Sequence, residues 1–217
     1  MFEWFVVCLY IASFILLMLS FRFLFSMFKL TLWFPVSLSN FIISLFLSIL
    51  FFITANQISS FFVSDRGLQI AEITIKENNI QKFTLSISSP SQSDKAQFAI
   101  DGDEWQLDMR IITWNNLLSA FGLNTLYRFE RISGRYISME NSQKLKHSMY
   151  PLKDKNITDF LWTHIASLYD GSVFRAYYGL ALFAPMSDKA KYGLFLTSTG
   201  AEVLPLNEYA KQSLKAW

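Results

Sequence analysis

Two long apolar runs at the start of the chain constrain its fold more than any other feature. The first goes from about Trp4 to Phe25, broken only by Arg22, and the second from about Leu30 to Ala55. Each meets the roughly 20 residues a helix needs to cross about 30 Å of hydrocarbon. Neither carries a stripe of polar residues that would mark a water-facing side, so neither reads as a helix of a soluble core. The first also lacks the basic leading segment and the small-x-small site of a cleaved secretory signal. Two transmembrane helices are therefore expected, joined by a tight hairpin near Phe23 to Phe28.

Charge supports the same division. Up to Phe62 the only charged side chains are Glu3, Arg22 and Lys29, and setting them aside from totals of 19 basic and 17 acidic residues leaves a near-neutral remainder. Nucleic acid is not expected as a partner, because displacing counterions from phosphates needs a clustered basic face. The single cysteine, Cys8, lies in the first apolar run, which excludes an intramolecular disulfide and a cysteine metal site. Basic residues near helix ends stay in the cytoplasm, and both Arg22 and Lys29 belong to the short connection. Both termini are then expected outside, with the C-terminal domain in the periplasm of a Gram-negative cell.

Within the second run, Ser37, Asn40, Ser44 and Ser48 are spaced to share one helix face. Small and polar side chains there let helices approach closely and hydrogen-bond. That face packs on the first helix, through Ser13 or Ser20, or receives a partner membrane protein or a second copy. Pro35 lies in the first turn, where a missing N–H costs least.

The expected organisation is a transmembrane hairpin over 1–56, a juxtamembrane linker over 57–67 with Phe61 and Phe62 at the headgroup layer, and an extracytoplasmic domain over 68–217. Beyond the linker the apolar period becomes two. Phe83, Leu85 and Ile87 alternate with polar residues, as do Trp105, Leu107, Met109 and Ile111, which predicts half-buried strands. Asp101-Gly102-Asp103 predicts a tight hairpin turn, since glycine supplies positive φ cheaply. Leu126 to Arg131 and Arg135 to Met139 read as a second hairpin about Ser133-Gly134. Val173 to Phe183 and Lys191 to Thr197 read as further strands. Helices are expected over Asn115 to Phe121, Thr158 to Leu168 and Asn207 to Trp217. The fold class is thus two N-terminal transmembrane α-helices plus a C-terminal α+β domain built mainly on antiparallel β-sheet.

Chemical signatures are sparse. His147 and His164 have no metal-binding spacing, and no nucleophile elbow or phosphate-binding glycine loop occurs. Asp101, Asp103, Glu104 and Asp108 could gather as a calcium loop, but EF-hand spacing is missing. No cofactor and no metal are expected. Ser133-Gly134-Arg135, with Arg128 and Arg131 nearby, could form an anion-binding turn, or Arg128 could simply pair with Glu130. Trp105, Trp114, Tyr127, Tyr136, Tyr177 and Tyr178 supply either a groove or core. The candidate ligand residues are Arg128, Arg131, Arg135, Trp105 and Tyr136. Asn156-Ile157-Thr158 matches a glycosylation acceptor by composition alone.

Asp101 to Trp114 (DGDEWQLDMRIITW), Leu126 to Tyr136 (LYRFERISGRY), Tyr178 to Met186 (YGLALFAPM) and Gly200 to Glu208 (GAEVLPLNE) resemble a family of small proteobacterial inner-membrane proteins. These are often labelled cation/multidrug efflux pumps. The resemblance implies an inner-membrane location and transfers no catalytic residue. A two-helix hairpin cannot alone build the midplane substrate site of a secondary transporter, so either the label is mistaken or the chain is an accessory subunit of an efflux or transport complex. The expected function is a non-enzymatic, membrane-anchored interaction or accessory module of the cell envelope. It would contact the lipid bilayer and a membrane or envelope protein, or a second copy. The alternative is an envelope enzyme using Asp101, Asp103, Glu104 or Arg131.

Overall fold

The structure, a computed structural model, describes residues 2–27, 34–64, 67–90, 92–114, 124–138, 145, 147–153, 174–197 and 200–217. The expected helices over 115–121 and 158–168, Lys29, His164, the 156–158 triplet and the side chains of Tyr177 and Tyr178 lie outside the described residues. Those described fall into two compact units, a helical one up to Phe61 and a β-rich one from Phe62 onward.

The helical unit contains α1 (Phe2–Met27) and α2 (Phe34–Ile58), both long and apolar enough to cross a bilayer. Its packing is inverted relative to a soluble helix pair. Ser13, Ser20, Ser44 and Ser48 are buried, whereas Phe14, Ile15, Phe25, Ile42, Ile43 and Phe46 are exposed. The Ser13 hydroxyl donates to the Ser48 carbonyl at 3.0 Å, and the Ser48 hydroxyl donates to the Ser13 carbonyl at 2.9 Å. Ser26 and Ser37 bond hydroxyl to hydroxyl nearer the connection. Small hydroxyl side chains permit this approach, and those of Ser13, Ser20, Ser44 and Ser48 all donate to backbone carbonyls.

The β-rich unit has two antiparallel sheets. One is ordered β1 (Phe62–Ser64), β6 (Thr125–Arg135), β5 (Glu104–Trp114), β8 (Phe174–Pro185), with β7 (Met149–Pro151) also on β6. The other runs β10 (Ala201–Pro205), β9 (Lys191–Leu196), β2 (Gln69–Asn79), β3 (Lys82–Ser89), β4 (Gln92–Asp101). Inward residues of both form one core, in which Ile73, Ile75, Leu85 and Ile100 meet Trp105, Leu107, Met109 and Ile132. The Trp105 ring of β5 lies 5.9 Å from that of Tyr192 on β9, so the two sheets pack on each other there. Helix α3 (Glu208–Ala216) is capped by Asn207, whose side chain accepts from the Ala210 N–H at 3.0 Å.

Two local expectations are corrected. Ser133-Gly134 makes no turn: β6 runs unbroken through it, paired to β5 from Glu104↔Arg135 to Ile112↔Leu126. Asp101-Gly102-Asp103 does turn the chain, with Gly102 at φ +141°, but it carries β4 of one sheet into β5 of the other and closes no hairpin. Phe62 belongs to β1, and its ring lies 5.8 Å from that of core residue Tyr127.

Tyr192 is fully buried and its hydroxyl donates to the Pro185 carbonyl at 2.9 Å. Burial, the larger influence, raises its pKa above the ordinary 10.0, while a bond with Ser213 lowers it. The fold thus favours the neutral phenol. This contribution is complete below pH about 10 and is lost as pH climbs through the raised folded value. Tyr192→Phe should cost about 1 kcal/mol at neutral pH by orphaning a carbonyl and should flatten the alkaline decline. Unfolding midpoints at pH 7, 10 and 11 check this; parallel declines in both proteins would remove Tyr192 as the cause.

Candidate functional site

The outward face of the first sheet gathers most of the chain's candidate polar residues. Alternation along β5 sends Trp105, Leu107, Met109 and Ile111 into the core and Glu104, Gln106, Asp108 and Arg110 outward. The pairing register then sets Arg135 opposite Glu104, Arg131 opposite Asp108, and Arg128 opposite Arg110. Between the last two rungs the register shifts, so that Arg131 and Phe129 face successive β5 residues and Glu130 opposes none. Such a bulge re-aims a side chain. Here it brings the Glu130 carboxylate within 2.8 Å of Arg128 Nε and 3.1 Å of Arg110 Nε.

Each arginine whose side chain is described on this face has a carboxylate beside it. Arg128, only 2% exposed, is bound to Glu130 by two nitrogens. Arg131 is bonded to Asp108, which also accepts from Gln106 Nε2 at 2.7 Å. Arg135 is held more loosely, 3.8 Å from Glu104, with its guanidinium 5.2 Å over the Phe183 ring. Glu104 in turn accepts from the Trp217 indole at 2.6 Å. The face is a ladder of internally compensated charge, in which guanidinium forks meet carboxylates.

Of the residues the sequence nominated for a ligand, Arg128, Arg131 and Arg135 therefore share one face. Trp105 is on the opposite face, fully buried in the core. Tyr136 follows the end of β6, edge-on to His147 at 5.7 Å. Burial, then the Asp101 and Asp103 charges, raise its pKa. The four acidic residues of the turn region also part company. Asp103 accepts from Gln81 Nε2 at 2.7 Å and from the Ile137 N–H at 3.0 Å, bracing the corner, while Glu104 and Asp108 serve the ladder. Among the described residues no group of three or more His, Cys, Asp or Glu comes together. Arg110, Phe183 and Trp217 were not singled out from sequence, because their roles arise from register and from contacts across nearly the whole domain.

On α2, Ser44 and Ser48 are buried against α1 and Ser37 bonds Ser26, so three of the four residues of the polar face are used within the hairpin. Asn40 alone is exposed. No protein-family model, no curated protein and no solved structure matches the chain.

Proposed function

We propose that the chain is a membrane-anchored, non-enzymatic interaction module of the bacterial cell envelope, with α1 and α2 in the inner membrane and the β-rich unit in the periplasm. The observation that carries this reading is the inverted hairpin, which buries serines and turns phenylalanines and isoleucines outward. Water penalises that arrangement and hydrocarbon favours it. Arg22, near the end of α1, and Lys29, between the two helices in sequence, support a cytoplasmic connection. The compensated ladder supports a binding or scaffolding role over catalysis, because its charged groups hold one another.

Membranes from cells expressing the full chain should retain it after alkaline carbonate washing. Protease added to spheroplasts should digest the β-rich unit, and mild-detergent copurification should recover an envelope protein. A channel-forming protein among the recovered species would specify an accessory subunit of a transport complex. Release into the carbonate supernatant would overturn the anchoring, and protection of the β-rich unit in spheroplasts would reverse its side.

A further inference from the structure

Asn40 is a polar residue of α2 that the fold leaves unexplained. It is exposed, and among the described residues its amide makes no hydrogen bond, unlike Ser37, Ser44 and Ser48 on neighbouring positions. Asn40 is six residues past the first residue of a 25-residue helix. At about 1.5 Å per residue, such a helix exceeds a hydrocarbon layer of about 30 Å by only a few ångströms at each end. If α2 spans, this amide lies inside the hydrocarbon, where an unpaired donor and acceptor are costly.

We propose that Asn40 pairs with Asn40 of a second copy, through a helix seam formed by Val36, Asn40, Ile43 and Leu47. The inference rests on the membrane reading above. Three features select a second copy. All copies insert with the same orientation, so α2 meets α2 in parallel and the two Asn40 amides reach the same depth. An amide carries both donor and acceptor, so a twofold contact satisfies both sides. The seam also has the four-three-four spacing of a supercoiled helix pair, with one polar residue to fix its register. Val36 is 49% and Ile43 53% exposed, and both flank Asn40 on this seam, away from the buried serines.

The test uses the full chain in phosphatidylcholine vesicles, with Cys8→Ser removing the sole cysteine. Single cysteines are then placed by Ile43→Cys on the seam and Ile42→Cys off it, and flotation measures vesicle association. The expected result is flotation with the vesicles and disulfide dimers forming at 43 well ahead of 42. Adding Asn40→Leu should weaken the dimer about threefold to tenfold, in line with measured interhelical hydrogen bonds. Flotation with equal or absent crosslinking at the two positions, or dimers indifferent to Asn40→Leu, overturns the pairing and leaves the membrane reading intact. Failure to float overturns both.

Discussion

Alanine at position 134 is expected to destabilise the β-rich unit by on the order of 3 kcal/mol, at the upper end of overpacking costs. A Cβ built on Gly134 would overlap the carbonyl oxygen of Asp101 and lie 2.8 Å from Ile100 Cγ2. The obstacle is backbone, which cannot rotate aside as a side chain can. The crossing is reciprocal, since a Cβ on Gly102 would come within 2.5 Å of the Arg135 carbonyl oxygen, where φ is already +141°. The segments 101–103 and 134–135 thus cross main chain to main chain, tied by the Asp103 N–H donating to the Arg135 carbonyl at 2.8 Å. Gly67→Ala is the control. Its φ is +82°, but nothing lies within 4 Å of the added carbon, so it should lose only the conformational part, about 1 kcal/mol. Denaturant unfolding of the full chain in detergent micelles, followed by near-ultraviolet circular dichroism, measures both. Equal losses in the two variants would mean that the crossing has room to open.

The same glycine shows where the sequence is legible and where it is not. Alternation of Phe83, Leu85 and Ile87, and of Trp105 through Ile111, identifies β3 and β5 because a half-buried strand repeats every two residues. The apolar runs identify α1 and α2 for an equally local reason. Gly134 misleads because a glycine that turns a chain and a glycine that lets two chains cross are identical in one dimension. Asp101-Gly102-Asp103 misleads only in part: the turn is local chemistry, but whether the strands it joins pair with each other is decided elsewhere in the fold. β2 is harder to see. Ile70 and Ala71 are both buried, with a register shift between Gln69 and Ala71 that breaks the alternation before Ile73 and Ile75 restore it. The charged ladder was visible as residues without partners. Arg128 and Glu130 are two apart and could be paired on paper, whereas Arg131 with Asp108 and Arg135 with Glu104 follow only from the β5–β6 register.

That ladder makes the second large prediction. Glu130→Ala should cost about 3 kcal/mol, because breaking a buried ion pair by removing one partner is strongly destabilising, and this carboxylate serves two guanidiniums. Arg110 and Arg128 are direct cross-strand neighbours, and like charges in that position repel. The Glu130 carboxylate lies 3.1 Å from one and 2.6 Å from the other. Arg128 has a side chain only 3% exposed, so it cannot swing into water when the carboxylate is lost. Pairing the loss with Arg128→Met should recover much of the stability, since an apolar side chain of similar length fills the site without a charge to solvate. Asp108→Asn supplies the contrast on the same sheet face. Asp108 has a side chain only 12% exposed, but its partner Arg131 is 48% exposed and can rehydrate, so the loss should be about 1 kcal/mol, near the range of surface pairs. Unfolding free energies of the three variants test one physical statement, that burial of the arginine sets the cost of removing its carboxylate. Comparable losses for Glu130→Ala and Asp108→Asn, or no recovery on adding Arg128→Met, would refute it.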